Sequence, residues 1–485
     1  MARARPWMGP MRLTTAINLL WLARTWGWAG TRTPPNGAVI WAGGFAYLRD
    51  GTSTVFDDLP GYTWAGTAYL EHWGIVTTDN PANCVTDYTA KLTAALAAVQ
   101  GDLLFTGWIR ITDSVTIGRH VRLHSIRGHN EGGIAIFSDF NLSADCVLLA
   151  DSDGEGGVIG DLGVWCWHTS APADRSDLTQ YPPILDLSDQ TYFNIGRLRI
   201  RGAWDGIRAV GNFGGLHAQL IEMSAFNIGV EMDGALGFVN IENLLTQATG
   251  ISSNAALLAL YSDGTTIGAK LGRIDGGRIG SLQSYKAQVV IDPGYNNLVP
   301  LLIESLHLDG DGARFTNVSG RSQIDLFRSS KGVTSDATLA VSGGECIVGE
   351  VQCRGSEAVV MNVTGGLLRV GGGLITSSVA TSAAAVVSAG TAIIKNVSTV
   401  FELTARAAAI FRQSGTGSLR VYGGDAWAAT TLANTVSFAT TVAGNAFDAP
   451  GMIIPTAADN AAALSAGCIV GMKYKTASGE MRIVV

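Results

Sequence analysis

The sequence predicts an all-β chain wound as a right-handed parallel β-helix, a solenoid with coils of about 22 residues. Three observations support this prediction: an amphipathic helix followed by short strands, glycine-led apolar motifs at a nearly constant period, and a low charge content. Charged residues make up 15% of the 485 positions, and 61 positions are glycine, whereas about 25% charge is usual. Such a composition favours stacked turns and subunit contacts over a solvated helical surface.

Residues 1–66 are aromatic and rich in turn formers, and we expect them either to dock onto other proteins or to form a plain N-terminal cap. Residues 32–37 close a stretch rich in Arg and Trp, and hairpin-like strands follow between residues 39 and 66. Residues 16–23 have the size of the apolar part of a signal peptide, so a cleaved signal is the alternative. This run is shorter than the ~20 residues needed to span a bilayer, and we predict no membrane insertion.

A capping helix and the start of the solenoid are predicted within residues 67–128. Thr86 or Asp87 can cap a helix that places Leu92 and Leu96 on one face. Short alternating strands follow at residues 103–105, 109–111, 115–117 and 121–123. A helix laid over stacked strands covers the apolar core that the end of a solenoid otherwise exposes.

The long middle of the chain carries the repeats. Gly206, Gly229 and Gly250 each begin a Gly-Ile or Gly-Val motif, so this motif recurs at a nearly constant interval. Two Gly-Gly pairs, at positions 343 and 365, repeat the same interval. A leucine-rich repeat has a similar period of about 20–29 residues but needs a Leu and Asn pattern that is missing here, and a propeller blade needs about 40. The period therefore favours the β-helix.

The solenoid shaft is predicted over residues 129–430, and a small C-terminal β tip over residues 431–485. Within the tip we expect a short helix at residues 457–464 and a terminal hairpin over residues 468–485. An apolar terminal strand promotes aggregation when its edge is free, so the tip is expected to pair or to trimerise.

The opening of the predicted solenoid resembles a known family. The letters W-G-I at residues 73–75, V-T-D-Y-T at 85–89 and the glycine-bounded strand at 101–105 resemble pectate-lyase-like β-helices, especially bacteriophage tailspikes and tail fibres. The resemblance implies a homotrimeric virion protein on the tail or particle surface, assembled in the host cytoplasm. It implies three partners: further copies of itself, other tail or baseplate proteins through residues 1–66, and host surface polysaccharide.

Three functions stay open on the sequence. The first is a structural virion protein that gains strength by multivalent attachment to host surface glycan. The second is a tailspike depolymerase that hydrolyses or eliminates surface polysaccharide, for which two outward carboxylates about 5–10 Å apart are expected in a hydrolase. The third is a secreted bacterial β-helix adhesin or lyase, which requires a functional signal peptide.

The catalytic candidates are Glu304, Asp309 and Asp311, which lie within or just before the motif L-H-L-D-G-D. Alternation along a strand turns the two leucines of this motif inwards and Asp309 outwards. Two alternatives remain for the cluster, an oxygen site of the Ca²⁺ type and an ordinary coil corner.

A second group of candidates lies in the motif W-C-W-H at residues 165–168 and the long loop that follows it. Aromatic faces stack on sugar rings, while Asp and Arg side chains bond to hydroxyls, so this segment is a candidate glycan contact. Its alternative is a loop packed at a subunit interface. The candidate glycan-binding residues are Trp165, Trp167, His168, Asp174, Arg175 and Asp177.

Other chemistries leave no signature in the sequence. No H-E-x-x-H, Walker or zinc-ligand spacing occurs, and we predict neither metal nor cofactor. The net charge of −7, without a basic run beyond the first residues, argues against nucleic acid as a partner. The cysteine spacing contains no C-x-x-C pair and favours buried thiols over disulfides. These residues are Cys84, Cys146, Cys166, Cys346, Cys353 and Cys468.

Overall fold

The computed structural model confirms the fold prediction, because the chain is an all-β parallel solenoid of about 12 turns. The structure describes residues 37, 39–42, 45–53, 62–64, 66–151, 158–190, 192–291, 300–310, 313–331, 337–355, 359–377, 383–401, 410–423, 426–427, 436–438, 446–448, 461, 473–475 and 481–483. The chain divides into two compact units. Unit 1 comprises Met1–Trp167 and Phe193–Arg199, and unit 2 comprises His168–Tyr192 and Ile200–Val485.

The strands before the division at residue 167 belong to unit 1. They are β1 (Val39–Ala42), β2 (Phe45–Arg49), β3 (Tyr62–Trp64), β4 (Ala68–Tyr69), β5 (Gly101–Phe105), β6 (Trp108–Arg110), β7 (Val115–Ile117), β8 (Val121–Ser125), β9 (Gly133–Ile136), β10 (Leu148–Ala150) and β11 (Val158–Cys166). Three helical elements accompany them, the 3-10 turns Leu70–Trp73 and Pro81–Asn83 and helix α1 (Thr89–Ala98).

The strands that follow are longer on average. They are β12 (Leu185–Asp186), β13 (Phe193–Phe213), β14 (Leu216–Ala235), β15 (Val239–Thr246), β16 (Ile267–Leu271), β17 (Arg278–Tyr285), β18 (Gln288–Ile291), β19 (Leu301–Asp309), β20 (Arg314–Asn317), β21 (Arg321–Lys331), β22 (Leu339–Val341), β23 (Glu345–Gly355), β24 (Val359–Val363), β25 (Leu367–Ser377), β26 (Ala383–Val387), β27 (Thr391–Lys395), β28 (Val397–Phe401), β29 (Phe411–Gln413), β30 (Ser418–Tyr422), β31 (Ala426–Trp427), β32 (Val436–Phe438), β33 (Ala446–Asp448), β34 (Lys473–Lys475) and β35 (Met481–Ile483). Helix α2 (Ala255–Tyr261) lies between β15 and β16.

Unit 1 begins with an antiparallel sheet of β1, β2 and β3, in which Tyr47 pairs with both Ile40 and Trp64. This sheet lies within the predicted docking segment, whose residues 1–36 are outside the described residues. A buried histidine joins the sheet to the solenoid, because His72 Nε2 donates to the carbonyl of Ala46 on β2 over 2.9 Å. Burial lowers the pKa of His72, which favours the neutral form of a ring enclosed in this way.

The predicted capping helix is present as α1. Leu92 and Leu96 are buried on its inner face, together with Ala95. Of the two predicted capping residues, Asp87 makes the contact: its Oδ1 accepts the N–H of Thr89 over 3.0 Å. The pairing of a short polar cap with an apolar face explains why the sequence forms a helix here.

Behind the cap, the coils of unit 1 stack in parallel register. Ile109 of β6 pairs with Ile134 of β9, which pairs in turn with Val164 of β11. All three side chains are buried. Each buried aliphatic side chain of this size contributes about 1.5–3 kcal/mol through its transfer from water.

In unit 2 the same in-register stacking of buried aliphatic side chains extends over more coils. One interior position is filled on eight strands by in-register aliphatic side chains, most of them fully buried. They are Ile241, Ile279, Ile303, Ile324, Val348, Val370, Ile394 and Val421. From Ile279 onwards successive members recur at intervals close to the predicted period. We call these stacked side chains the interior ladder. Because they form an apolar core from coil to coil, the fold needs few charged residues.

Further predictions concern the cysteines and the C-terminal tip. Five of the six cysteines are buried thiols, as predicted, and Cys468 lies outside the described residues. In the predicted tip, β34 and β35 pair antiparallel, with Tyr474 opposite Arg482. The predicted helix at residues 457–464 is described only at Ala461, which is helical. Within the described ranges, no helix is long and apolar enough to cross a membrane.

Candidate functional site

The first catalytic candidate, Glu304 on β19, is held by an arginine. Arg278 on β17 donates from Nε and Nη2 to the two carboxylate oxygens of Glu304, over 2.8 and 2.9 Å. The same guanidinium donates from Nη1 to the side chain of Asn240 over 2.9 Å. A bidentate pair of this kind holds both side chains in one geometry. The arrangement is that of a surface ion pair, and a catalytic role for Glu304 stays a prediction.

The other catalytic candidates lie at the end of the same strand. Leu306 and Leu308 are fully buried, while His307 and Asp309 are half-buried, so the alternation places their side chains as predicted. The carbonyl of Asp309 accepts the N–H of Lys286 over 2.8 Å. Asp311 lies outside the described residues. The structure therefore describes only Glu304 and Asp309 of the three, and the catalytic assignment stays a prediction.

The loop that follows W-C-W-H is anchored by Arg175 in unit 2. Its Nε and Nη2 donate to the carboxylate of Asp263 over 2.6 and 2.9 Å. Nη2 also donates to the carbonyl of Leu260 and to Oγ1 of Thr266, and Nη1 donates to the carbonyl of Phe226. We call this set of contacts the arginine clamp. It links the loop to helix α2 and to the coil beneath it, and leaves little of the guanidinium for a ligand.

The two aspartates beside Arg175 stabilise the turn Arg175–Asp177. Asp174 Oδ1 accepts the N–H and the hydroxyl of Ser176 over 2.7 and 2.6 Å. These hydrogen bonds lower the pKa of Asp174. Asp177 Oδ2 accepts the N–H of Ala173 over 2.7 Å. Both carboxylates thus cap local backbone, and sugar binding by either of them stays a prediction.

His168 is packed inside unit 2. Its ring lies 5.4 Å from Tyr181 and edge-on to Phe226 at 5.1 Å, measured between ring centroids. The N–H of Thr179 donates to Nδ1 over 3.2 Å, so the proton is on Nε2, which donates to the carbonyl of Gly202. Burial lowers the pKa of His168. This ring serves the packing of the loop, and its role as a glycan contact stays a prediction.

The two tryptophans of the motif make a different set of contacts from His168. In unit 1 they belong to a row of rings that we call the aromatic ladder, defined as Trp108, Phe137, Trp165 and Trp167. Trp108 is buried, and the other three rings are partly exposed. Trp165 and Trp167 lie parallel within 9°, with centroids 5.4 Å apart. Phe137, one coil earlier, is parallel to Trp167 at 5.8 Å. Trp108 contacts Trp165 edge-on at 6.2 Å.

The parallel rings of the ladder are offset from one another. Stacked carbon atoms touch at about 3.5–4.0 Å, so parallel rings with centroids 5.4 and 5.8 Å apart are displaced sideways, as aromatic pairs usually are. Phe137, Trp165 and Trp167 are partly exposed. The ladder therefore places aromatic surface beside solvent.

Two neighbours fix the ladder in place. The guanidinium of Arg110 lies 5.3 Å from the centroid of Phe137, a cation–π distance. The ring of Trp108 lies over Gly163 of β11, where an added Cβ would be 2.6 Å from Trp108 Cη2. Glycine at this position is therefore needed for the close approach of the indole.

A pocket of about 320 Å³ adjoins the ladder in unit 1. Its wall is formed by residues 76–88, which we call the cap loop, and by β6. Trp108 and Arg110 line the pocket and also contact rings of the ladder. We call this cavity the cap pocket.

The candidates predicted from sequence include Trp165 and Trp167 of the ladder but not Phe137, Trp108 or the neighbouring Arg110. The signal that it lacked was register. Ala135 pairs with Arg110 on one side and with Trp165 on the other, and both of these intervals are longer than the predicted period. A search for outward aromatic residues at variable coil lengths would have found Phe137.

Comparison with protein-family profiles and with curated proteins gives no significant match to this chain. Among solved structures, the chain is similar to the gp42 tailspike of Acinetobacter phage vb_AbaP_AS12, with a TM-score of 0.48 and 12% sequence identity. The alignment covers 86% of this chain and 75% of the tailspike. The strand registers given above establish the parallel solenoid independently of this similarity.

Proposed function

We propose that this protein is a tailspike or tail-fibre protein of a phage or phage-like particle, which attaches to host surface glycan through the aromatic ladder. The observation that carries the proposal is the offset stack of Phe137, Trp165 and Trp167 on the outside of a parallel solenoid. Aromatic rings with open faces bind the apolar faces of sugar rings. Their position on packed strands costs little ordering on binding.

The proposed assembly is a homotrimer with residues 1–66 docked on another tail or baseplate protein. Multivalency supports this arrangement, since a shallow aromatic surface binds one sugar chain weakly. Three copies held on one particle turn the second and third binding events into intramolecular ones. The overall avidity then rises by about 10²–10⁴ without any new contact.

The test of this proposal is binding of the full-length protein to polysaccharide extracted from a panel of bacterial surfaces. We expect W167A to weaken binding to the recognised polysaccharide at least tenfold, because loss of a stacked aromatic anchor costs about 2 kcal/mol or more. Y192A is the matched control, since Tyr192 is 46% exposed and is not part of the ladder. Equal binding by W167A and Y192A would contradict the proposal.

A further inference from the structure

We propose that the cap pocket binds a single neutral sugar residue that carries a small apolar substituent, such as an N-acetyl group or the methyl of a 6-deoxy sugar. This inference rests on the proposed function, because the sugar would belong to the glycan that lies on the aromatic ladder. It assigns a recognition role to a part of the molecule that otherwise only caps the solenoid.

The cap loop is held in one conformation by its own hydrogen bonds. Thr78 exchanges both backbone hydrogen bonds with Trp108, over 2.9 and 2.7 Å. The N–H of Tyr88 donates to the carbonyl of Arg110 over 2.9 Å. Arg110 Nη1 returns a bond to the carbonyl of Val85 over 2.6 Å. With both ends of the loop fastened to β6, the pocket is formed before any ligand arrives, as small-molecule sites usually are.

Two of the apolar side chains that line the pocket are exposed and contribute little to the core. Val76 and Val85 line the pocket, yet they are 68% and 77% exposed. Ile109 and Trp108 supply the inner wall. Valines this exposed add nothing to the core. Beside a preformed cavity, however, they suit a methyl group that binding would remove from water.

Polar groups of the pocket remain available for hydroxyls. Asn83, Thr86 and Tyr88 line the cavity, and within residues 66–151 their side-chain polar atoms make no hydrogen bond. Other polar groups in the cap loop are occupied: Asn80 accepts the N–H of Ala82 over 3.0 Å, and the thiol of Cys84 bonds to the Thr78 hydroxyl over 3.2 Å. An amide and two hydroxyls among apolar side chains are the mixture that sugar recognition requires.

The charge of the pocket favours a neutral sugar. Arg110 is the cation of the lining, and its Nη2 donates to the carboxylate of Asp139. Its Nη1 donates to the carbonyl of Val85. An acidic sugar would have to compete with Asp139 for this guanidinium, and Asp87 nearby adds negative charge. Bonds from Thr89 and Thr112 and the charge of Arg110 lower the pKa of Asp87 despite its partial burial.

Size and position limit the ligand to one residue of a longer chain. A volume of about 320 Å³ is at the lower end of the range of about 300–1,000 Å³ for ligand sites. Trp108 and Arg110 connect the pocket to Trp165 and Phe137 of the ladder, at 6.2 and 5.3 Å. A glycan crossing the ladder can therefore place one substituted residue in the pocket.

The test uses full-length protein and four monosaccharide probes in saturation-transfer NMR: N-acetylglucosamine, L-rhamnose, glucose and glucuronic acid. We expect N-acetylglucosamine or rhamnose to bind at least fivefold more tightly than glucose, and glucuronic acid to bind no better than glucose. V85W, which fills the mouth of the pocket, is expected to remove this preference. L149W is the control, because Leu149 is 38% exposed on β10 of the same unit and is not part of the pocket lining.

Equal binding of all four probes, or a preference that survives in V85W, would overturn the inference. The polysaccharide assay separates this outcome from failure of the proposed function. If W167A loses polysaccharide binding but V85W retains both binding and probe preference, the ladder binds glycan and the pocket inference is wrong. If V85W loses the preference while W167A binds as wild type, the pocket is a sugar site and the ladder proposal is wrong.

Discussion

The aromatic ladder and the arginine clamp come from neighbouring parts of one sequence segment, yet they use their side chains in opposite ways. In the ladder, Trp165 and Trp167 keep part of their ring surface beside solvent. In the clamp, the guanidinium of Arg175 donates to four different residues of its own unit. Groups that are satisfied internally hold structure, and groups with surface beside solvent can bind a partner. We therefore expect substitutions in the arginine clamp to lower stability and substitutions in the aromatic ladder to weaken binding.

The largest effect is expected from R175A. Removing the guanidinium from this half-buried ion pair leaves Asp263 without its counter-ion and takes one donor from each of three other acceptors, which costs about 3 kcal/mol. Amide hydrogen exchange across residues 169–183 should therefore accelerate roughly a hundredfold, while polysaccharide binding stays unchanged. R273A is the control, because Arg273 is a half-exposed partner of Asp275 in the same unit and surface pairs contribute below about 1 kcal/mol. Equal exchange rates in the two variants would contradict the clamp.

A smaller effect is expected from G163A, which affects the ladder through its support. The new Cβ would lie 2.6 Å from Trp108 and 2.7 Å from the carbonyl oxygen of His129, and overpacking of this kind costs about 1–3 kcal/mol. We expect a lower thermal transition and weaker polysaccharide binding together. G118A is the control, since the nearest atom to its new Cβ is at 3.7 Å. Unchanged binding in G163A would show that the ladder does not depend on Trp108.

The smallest effect is a pH dependence in unit 2. The folded-state pKa of His168 is lowered by burial, so the unfolded chain takes up a proton first as the pH falls. Stability is therefore complete above the ordinary histidine pKa of about 6.5 and declines below it, by less than about 1 kcal/mol at pH 6. Exchange of the Thr179 amide should accelerate between pH 7 and 6 after correction for the intrinsic rate. H168F should remove this acceleration, and its persistence in H168F would contradict the assignment.

The sequence was sufficient for the fold because the evidence for a solenoid is local. A capped helix at Asp87 and glycine-led repeats of nearly constant period describe neighbouring coils, and each coil contacts little beyond its neighbours. The site could not be predicted to the same degree. Phe137 meets Trp167 across a coil lengthened by a loop, and Arg175 meets Asp263 across 88 positions, so neither pairing is visible without the register.

The candidate residues also differ in how far the sequence alone could indicate their surroundings. Trp165 and Trp167 could be selected from sequence because two aromatic residues at alternate positions on a strand share one face. Nothing in the sequence distinguishes an aspartate that binds a sugar from one that caps a turn, as Asp174 does. Glu304 likewise reads as an unpaired carboxylate until its pairing with Arg278 is known.

The interior ladder from Ile241 to Val421 also bears on how such a protein changes over evolutionary time. Successive members are unevenly spaced along the chain, yet each fills the same position, so the corners absorb variation in length. One whole repeat can be lost or duplicated and the neighbouring faces still match. Removing residues 325–348, for example, would bring Ile324 against Val370, an apolar contact of the same kind. Each such change alters the length of the stack by about 4.8 Å and leaves the contacts between the remaining coils apolar.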